Sequence, residues 1–374
     1  MLPRSEGTKK SLFNLINKMD TIKRKYLMLF NSVLLAIGAT GGPLLLRLYF
    51  VRGGKRIWLS SALGSAGWPI LILPLSLSYI FKRGGGGENG RVKFFTITPP
   101  LIIFSAFIGL LLGLNDYLYS HGVSLLPVST STLIMSTHLA FTAGFAFVLV
   151  KQKFTPYSIN AVVLLTVGAI LLGLHSNGDK PVNQSNRDYY FGFFLTVGAS
   201  VISGLLFPLA ELMYIKAMQA LTYSLVIEMQ IVTAVVASLF CIVGMIINND
   251  FKAIPSEGKE YELGEVKYYV VLVSIAIMWQ IYFVGTAGVI FCSTSLLAGI
   301  ITAVILPVTE ILSVVFYHES FKSEKGIALF LSFWGLISYL YGDYRENIKL
   351  KKAAQKQSSE LELDENLPPQ TNLQ

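Results

Sequence analysis

Apolar residues in this chain come in long blocks rather than in alternating or 3.6-residue stripes. About 20 apolar residues in a helix cross the hydrocarbon core of a bilayer, and blocks near that length recur along the sequence. The pattern predicts ten membrane-spanning helices, numbered here as spans 1 to 10. They cover about 26–46, 57–81, 96–118, 126–150, 157–175, 190–212, 222–247, 267–288, 291–317 and 325–342.

The segments between these blocks are polar. Residues 83–93 (RGGGGENGRVK) predict a flexible loop, and 176–189 and 248–266 predict longer polar loops. Residues 345–374 are charged and then polar with prolines, a composition expected to be disordered. The remaining connections are short, so neighbouring spans run in opposite directions through the membrane.

The positions of Lys and Arg predict the orientation. With the amino terminus in the cytosol, the segments on that side hold 19 of the 30 Lys and Arg residues. Positive charge favours the cytosolic side, so both termini are predicted there. Residues 1–25 would then form a cytosolic N-tail and residues 345–374 a disordered cytosolic C-tail.

One hydrophobic pattern occurs twice. Residues 154–173 align with residues 321–340 and share Phe, Ala, Leu, Gly and Ile at five matching positions. The repeat implies two related halves, 26–175 and 190–342, of five spans each. Since five is odd, the second half enters the membrane from the opposite side. The predicted fold is therefore an all-α integral membrane protein with ten transmembrane helices in two inverted five-helix repeats.

Composition supports a membrane protein and argues against other classes. The chain is 53% hydrophobic and 14% charged, with a mean hydropathy of +0.58, which is too apolar for an ordinary soluble domain. The net charge of +8 lies in the tails and loops, where it sets topology rather than binding nucleic acid. Cys241 and Cys292 fall in apolar blocks and are expected to pack there. No metal-ligand cluster, phosphate-binding loop or nucleophile motif is present, so no enzyme activity, cofactor or metal is predicted.

Ionisable side chains inside spans are the first functional candidates, because charge in hydrocarbon is costly. Glu228, with Gln230 nearby, lies early in span 7; it either reaches the interface or is a cavity carboxylate. Glu310 follows Pro307 in span 9, where the proline frees a backbone carbonyl; a helix–helix hydrogen bond is the alternative. His138 in span 4 could bond a heterocycle, relay protons or simply pack.

Polar and aromatic residues elsewhere complete the candidate site. Asn115 lies near the end of span 3, and Asp116 beside it is expected to cap the helix or reach interfacial water. Trp68, Trp279 and Tyr282 are candidate stacking surfaces, although packing or an interfacial belt also explains such residues. Lys and Arg are nearly absent from the predicted spans, and Arg47 lies near an end of span 1. A phosphate pocket needs fixed cations, so the pattern favours a neutral or weakly basic ring compound with N–H donors.

Several long segments closely resemble the plant purine permease family. They include GGPLLLRLYFVRGGKRIWLSS, GLNDYLYSHGVSLLPVSTSTLI and ILPVTEILSVVFYHESFKSEKGIAL, and together such blocks cover most of residues 26–345. The family belongs to the drug/metabolite transporter superfamily, whose fold is ten helices in two inverted repeats. The resemblance also makes Glu319 a structural residue at a repeat end. His138 occupies a position where the family often has Gln.

The resemblance implies a multi-pass importer, by default in the plasma membrane, that is commonly coupled to protons. Similar proteins carry adenine, other nucleobases, cytokinins or pyridoxine-type compounds, and some carry alkaloids. We therefore expect a proton-coupled importer of purine-type heterocycles that works by alternating access. Expected substrate contacts are Glu228, Gln230, Asn115, Trp279, Trp68, Tyr282 and His138, and expected proton carriers are Glu310, His138 and Glu228. An alkaloid importer is the first alternative, and a membrane-embedded enzyme, which would need an acidic or metal motif, is the second.

Overall fold

The described part of the chain is helical. The computed structural model contains no strand among the residues that it describes, and apolar helices follow one another with short connections. The described residues are 21–84, 95–126, 131, 134–135, 137–174, 186–217, 219–317, 326–327, 330–342, 344–346 and 348–349.

The observed helices correspond to the predicted spans. Those of spans 1, 2, 6 and 8 extend further than predicted, that of span 3 begins and ends later, those of spans 7 and 9 begin later, and the helix His138–Leu149 covers only the second half of span 4. Span 10 is described only in part, as helical residues 330–342 with shorter pieces on either side. Span 2 consists of two helices with a 3-10 turn between them. The helices of spans 1 to 9 are Thr21–Val51 (span 1), Ile57–Ser65, Trp68–Leu71 and Ile72–Gly84 (span 2), Pro99–Leu125 (span 3), His138–Leu149 (span 4), Pro156–Leu174 (span 5), Asn186–Ile215 (span 6), Tyr223–Ile247 (span 7), Glu265–Cys292 (span 8) and Ser295–Tyr317 (span 9).

Six of these elements are long and apolar enough to cross a bilayer: spans 1, 2, 3, 6, 7 and 8. Spans 4, 5 and 9 contain shorter apolar helices of 10 to 17 residues. Large apolar side chains also face outward from these helices; in span 1, Leu29 is 62% exposed and Phe30 is 58% exposed. Outward-facing leucine and phenylalanine on long helices suit a lipid environment, so the chain is a multi-pass membrane protein.

Span 2 breaks where it crosses span 8. Its first helix ends at Ser65, and Pro69 follows at the start of the 3-10 turn, where a missing N–H does little harm. Gly67 lies directly against the backbone carbonyl of Ala276 in span 8, so a larger residue would not fit there. The break therefore lies where the backbone of span 2 packs directly against span 8.

Spans 1 and 8 form the most extensive helix pair. Glycines on both helices allow this approach, since Gly38 of span 1 meets the backbone of Tyr282 and Gly285 of span 8 meets the backbone of Leu35. Small residues at a helix–helix contact are a common packing solution in membranes. At the end of span 8, the Arg24 side chain donates to the carbonyl of Cys292, with Nε at 3.0 Å. This cation satisfies a carbonyl at a helix C-terminus.

Other extensive helix contacts occur both between the two halves of the chain and within each half. Span 3 packs against spans 6 and 7, span 4 packs against spans 6 and 9, and span 9 packs against span 1. Spans 1, 3, 4, 6, 8 and 9 therefore surround the middle of the molecule, while span 7 packs behind span 3.

Several boundary predictions were wrong. Span 1 begins at Thr21, so Lys23, Arg24 and Lys25 belong to a helix and Arg47 is not the only cation in one. The predicted loop 248–266 contains a helix, Asp250–Glu260, and residues 186–189 belong to span 6. Residues 345–346 and 348–349 are helical. Residues 1–20, 85–94, 175–185, 318–325 and 351–374, with Glu319 among them, lie outside the described residues.

The helix Asp250–Glu260 fixes one end of the molecule. The Glu257 carboxylate accepts hydrogen bonds from the Tyr49 hydroxyl at 2.6 Å, the Tyr268 hydroxyl at 3.1 Å and the Lys55 N–H at 3.2 Å. Both tyrosines are fully buried. One carboxylate thus ties the end of span 1, the connection to span 2 and the start of span 8 together.

Candidate functional site

A central cavity lies where six spans meet. Its volume is about 780 Å³ when the open space at its mouth is included. Its lining mixes apolar and aromatic side chains with several polar groups. The lining residues are Ala39, Pro43, Leu112, Asn115, Asp116, Tyr119, Met135, His138, Ser203, Leu206, Phe207, Trp279, Tyr282, Phe283, Thr302 and Leu306.

Asn115 presents an oriented amide to this cavity. Its side-chain oxygen accepts a hydrogen bond from the Ser203 hydroxyl of span 6 at 2.9 Å. This bond fixes the amide and leaves its N–H₂ group as a donor toward a ligand. Tyr119, one helical turn on from Asn115, lines the cavity as well.

His138 presents a hydrogen-bond acceptor. The ring is 4% exposed, and its Nδ1 lies 2.9 Å from the Met135 carbonyl. A carbonyl can only accept, so Nδ1 carries a proton in this arrangement and the neutral ring has a lone pair on Nε2. Nε2 is buried and has no hydrogen-bond partner among the described residues. A ligand N–H group is the partner that such a nitrogen lacks.

Aromatic side chains of span 8 form one wall of the cavity. The Trp279 ring lies edge-to-face with Tyr119, at 6.1 Å between ring centroids, and with Tyr282, at 5.5 Å. Phe283 stacks near it with an interplanar angle of 28°. These contacts fix the indole in one orientation, which makes it a preorganised surface for a flat ring.

Asp116 reaches the cavity instead of capping a helix. The expectation that it caps span 3 was wrong, because span 3 continues for more than two turns beyond it, to Leu125. The side chain is 8% exposed, and its Oδ2 has no hydrogen-bond partner among the described residues. The sequence contained a signal, since a carboxylate in an apolar block is unusual. Span 3 was predicted to end at about residue 118, however, so Asp116 was interpreted as a residue at the helix end.

Glu228 is not among the cavity-lining residues. Its carboxylate accepts three hydrogen bonds, from the Thr96 N–H at 2.7 Å, the Ile97 N–H at 2.8 Å and the Thr96 hydroxyl at 2.9 Å. The side chain is 1% exposed. Glu228 therefore connects the segment before span 3 to span 7. Its hydrogen-bond partners in the structure are protein groups rather than the expected substrate.

The other candidates also lie apart from the lining. Gln230 is partly buried in span 7, and Trp68 packs with Leu71 and Ile231 in a separate apolar cluster. Glu310 lies in span 9, about one turn beyond the lining residue Leu306, but its side chain is outside the described part. Of the expected substrate contacts, the cavity brings together Asn115, His138, Trp279 and Tyr282, and it adds Asp116, Tyr119 and Thr302.

Comparison with known proteins identifies the family of this chain. A family profile described as purine nucleobase transmembrane transport matches residues 26–349. The chain belongs to the purine permease family. It is 48% identical to purine permease 3 of Arabidopsis thaliana over 90% of this chain and 96% of that protein, and 45% identical to purine permease 2 over 89% and 95%. The family named by the resemblance in the sequence is thus confirmed.

More distant relatives agree with this membership. Probable purine permease 5 of Arabidopsis thaliana is 33% identical, over 86% of this chain and 87% of that protein. A crystal structure described only as that of a protein superposes with a TM-score of 0.58 at 15% identity, covering 84% of this chain and 97% of the other. At that identity the superposition supports a shared fold alone. The purine permease relatives are named as transporters, not as enzymes.

Proposed function

We propose that this purine permease family member is a proton-coupled importer of purine-type heterocycles, such as adenine, other nucleobases and cytokinins, in the plasma membrane. The central cavity is its binding site, and the transporter works by alternating access. The observation that carries the proposal is the lining itself, which combines a rigid indole with an amide donor and an imidazole acceptor. Family membership independently supports a purine substrate.

A purine matches the polar groups of the lining. Its flat ring carries both N–H donors and ring-nitrogen acceptors, so it needs acceptors and donors at different points around one plane. The Nε2 of His138 can accept from a purine N–H, the Asn115 amide can donate to a ring nitrogen, and Trp279 provides a stacking face. Stacking of a base on an aromatic side chain contributes about 1–3 kcal/mol.

The charge of the lining residues argues against a phosphorylated substrate. None of the described lining residues is Lys or Arg. Nucleotides and phosphorylated compounds bring charges that need fixed cations in a dehydrated site. The cavity therefore favours free bases over nucleotides.

We also propose that the ten spans form two inverted five-helix repeats. An inverted repeat would exchange span 1 with 6, 2 with 7, 3 with 8 and 4 with 9. Under that exchange the contact of span 1 with 8 becomes that of span 6 with 3, and the contact of span 3 with 7 becomes that of span 8 with 2. All four contacts occur in the structure, which supports the proposal.

An alkaloid importer remains the second candidate. The cavity contains a large apolar and aromatic share, including Leu206, Phe207 and Phe283, which would suit a bulkier multi-ring amine. Asp116 offers such an amine a negative partner. The mechanism would be the same, and only the substrate would differ.

Uptake by yeast cells expressing this chain tests the proposal. Radiolabelled adenine should accumulate, a cytokinin should compete with it, and a protonophore should abolish accumulation. Stronger competition by an alkaloid than by unlabelled adenine would favour the second candidate. An absence of adenine uptake, with the protein present at the membrane, would refute the purine assignment.

A pair of tryptophan variants tests the cavity as the binding site. Loss of the Trp279 stacking face should raise the KM for adenine by roughly 5- to 150-fold, as the loss of about 1–3 kcal/mol implies. Trp334→Ala is the matched control, because Trp334 is 56% exposed on the outer face of span 10. Equal effects of Trp279→Ala and Trp334→Ala on KM would contradict the proposed site.

A further inference from the structure

Asp116 is a carboxyl group that the described structure leaves without a full set of partners. It lines the central cavity, is 8% exposed, and its Oδ2 is buried without a hydrogen-bond partner among the described residues. An unpaired ionised carboxylate in mid-membrane is costly, and intramembrane carboxyl groups of this kind often belong to proton or ion pathways. A bound proton or a ligand donor would therefore stabilise the Asp116 carboxyl group at this position.

The immediate surroundings hold this carboxyl group in place without neutralising it. The backbone of Gly64 in span 2 packs against it, so that a Cβ added to Gly64 would lie 3.1 Å from Oδ2. Ser65, next to Gly64 at the end of the first helix of span 2, brings its hydroxyl close to the Asp116 carboxyl group. Neither residue carries a charge, and no Lys or Arg is among the described residues that line the cavity.

Several titratable groups face Asp116, and none is a fixed cation. The Cys241 thiol lies behind it on span 7 and interacts with the Gly113 carbonyl at 3.8 Å. The Tyr119 and Tyr282 phenols and the His138 imidazole share the cavity with it. From spans 2 and 6, which also pack against span 3, the facing groups are Ser65 and the lining residues Ser203, Leu206 and Phe207. Asp116 is the only carboxyl group among the described lining residues.

We propose that Asp116 is the group that binds the transported proton and makes substrate binding depend on it. The inference rests on the function proposed above and names the residue that couples it to protons. It replaces Glu228 in that role, because the Glu228 carboxylate already has three protein donors. One proton moves from the outer solution to an Asp116 oxygen, crosses with the substrate, and leaves to the cytosol after the substrate dissociates.

Hydrogen-bond polarity couples the proton to the substrate. A deprotonated carboxylate only accepts hydrogen bonds, whereas a protonated carboxyl group also donates one. A purine ring nitrogen in the cavity can bind the protonated form and is repelled by the lone pairs of the deprotonated form. Because binding linkage is reciprocal, a substrate that prefers protonated Asp116 also strengthens proton binding by the same factor.

Purified protein in liposomes separates coupling from transport. Wild-type protein should accumulate radiolabelled adenine when an inward proton gradient is imposed, and it should also exchange internal for external adenine at equal pH. Asp116→Asn, which keeps the shape but cannot titrate, should lose gradient-driven accumulation by at least about tenfold, as expected when an intramembrane proton carrier is removed. Its exchange activity should remain, and that activity should no longer depend on pH.

Two further variants make the result decisive. Asp116→Glu retains a carboxyl group and should retain gradient-driven accumulation, which also tests the inference if the Asn variant does not fold. Glu262→Gln removes a carboxylate from an exposed ion pair with Arg52 and should behave like wild type. Full gradient-driven accumulation by Asp116→Asn, or its loss in Asp116→Glu with exchange intact, would overturn the inference.

The same assay distinguishes this inference from the proposed function. Wild-type protein that exchanges no adenine at any pH would refute the purine assignment and the inference with it. Wild-type protein that exchanges adenine, with accumulation unaffected in Asp116→Asn, would refute the role of Asp116 alone.

Discussion

Glu228 and Asp116 are both buried carboxyl groups in apolar helices, and their surroundings differ sharply. Glu228 in span 7 is 1% exposed and accepts three hydrogen bonds from residues 96 and 97. Asp116 in span 3 is 8% exposed, lines the cavity and has a buried oxygen without a partner among the described residues. Burial is nearly the same in the two cases, so burial alone does not indicate function.

The difference lies in what each carboxyl group does for the protein. A buried acceptor with three donors stabilises the structure, because its removal leaves those donors unsatisfied. A buried carboxyl group without partners lowers stability and is retained when a ligand or proton uses it. Glu228→Ala, Thr96→Val and Asp116→Asn test this contrast through stability, and Tyr49→Phe tests the hydrogen bonds of a third carboxylate, Glu257.

Glu228→Ala should destabilise the protein most. Three hydrogen-bond donors near the start of span 3 would lose their acceptor, at about 1–3 kcal/mol each, so the free energy of unfolding should fall by roughly 3 kcal/mol or more. Thermal unfolding of the purified protein in detergent measures the effect. Glu228→Gln keeps one side-chain oxygen as an acceptor and should lose less stability. An unchanged unfolding midpoint in Glu228→Ala would contradict a structural role for Glu228.

Tyr49→Phe should have the next largest effect. It removes the hydroxyl that donates to Glu257 at 2.6 Å and accepts from the Arg56 N–H at 3.1 Å. A loss of about 1–3 kcal/mol in the free energy of unfolding is expected, because a buried carboxylate loses a donor and a backbone N–H loses its acceptor. Phe50→Tyr, next to it in span 1, is a control for a neighbouring ring change, and equal losses in both variants would argue against the hydrogen bonds as the cause.

Thr96→Val should be milder. It removes one of the three donors to Glu228 and leaves both backbone N–H bonds in place. The free energy of unfolding should fall by about 1 kcal/mol, the usual contribution of one hydrogen bond. In a Glu228→Ala background the same substitution should have almost no effect, and full additivity of the two changes would contradict a shared hydrogen bond.

Asp116→Asn should have the smallest effect on stability, and any gain in stability would be opposite in sign to the effects of the other three. A neutral amide of the same shape replaces an ionisable group that has an unpartnered oxygen, so the free energy of unfolding should stay within about 1 kcal/mol of wild type or rise. The same thermal assay detects it. A loss as large as that of Glu228→Ala would show that Asp116 stabilises the fold, and the contrast between the two carboxyl groups would fail.

The sequence predicted the positions of the helices well, because long apolar blocks carry a strong local signal. Their ends were less well predicted: span 3 runs to Leu125 rather than to about 118, and so Asp116 lies more than two turns before the end of the helix. The helix Asp250–Glu260 was missed because it is polar and depends on contacts with spans 1 and 8. The contact with Tyr49 joins residues 208 positions apart and leaves little local pattern.

The candidate site was predicted in part for the same reason. Asn115, His138, Trp279 and Tyr282 stand out as polar or aromatic residues in apolar helices, and the structure brings them to one cavity. Glu228 stands out equally, but its role depends on where the segment before span 3 passes. That path is a tertiary feature, since Thr96 and Glu228 are 132 positions apart. Residue type therefore identified candidate site residues, and only their contacts in the structure distinguished the cavity residues from Glu228.

The glycine contacts between spans 1 and 8 restrict how such a transporter can move. Helices that touch backbone to backbone at Gly38 and Gly285 have no intervening side chains that could slide or repack. Spans 1 and 8 would then travel as one rigid body, although they come from opposite ends of the polypeptide. The moving parts of the transport cycle would consequently be mixed groups of helices, each drawn from both halves of the chain.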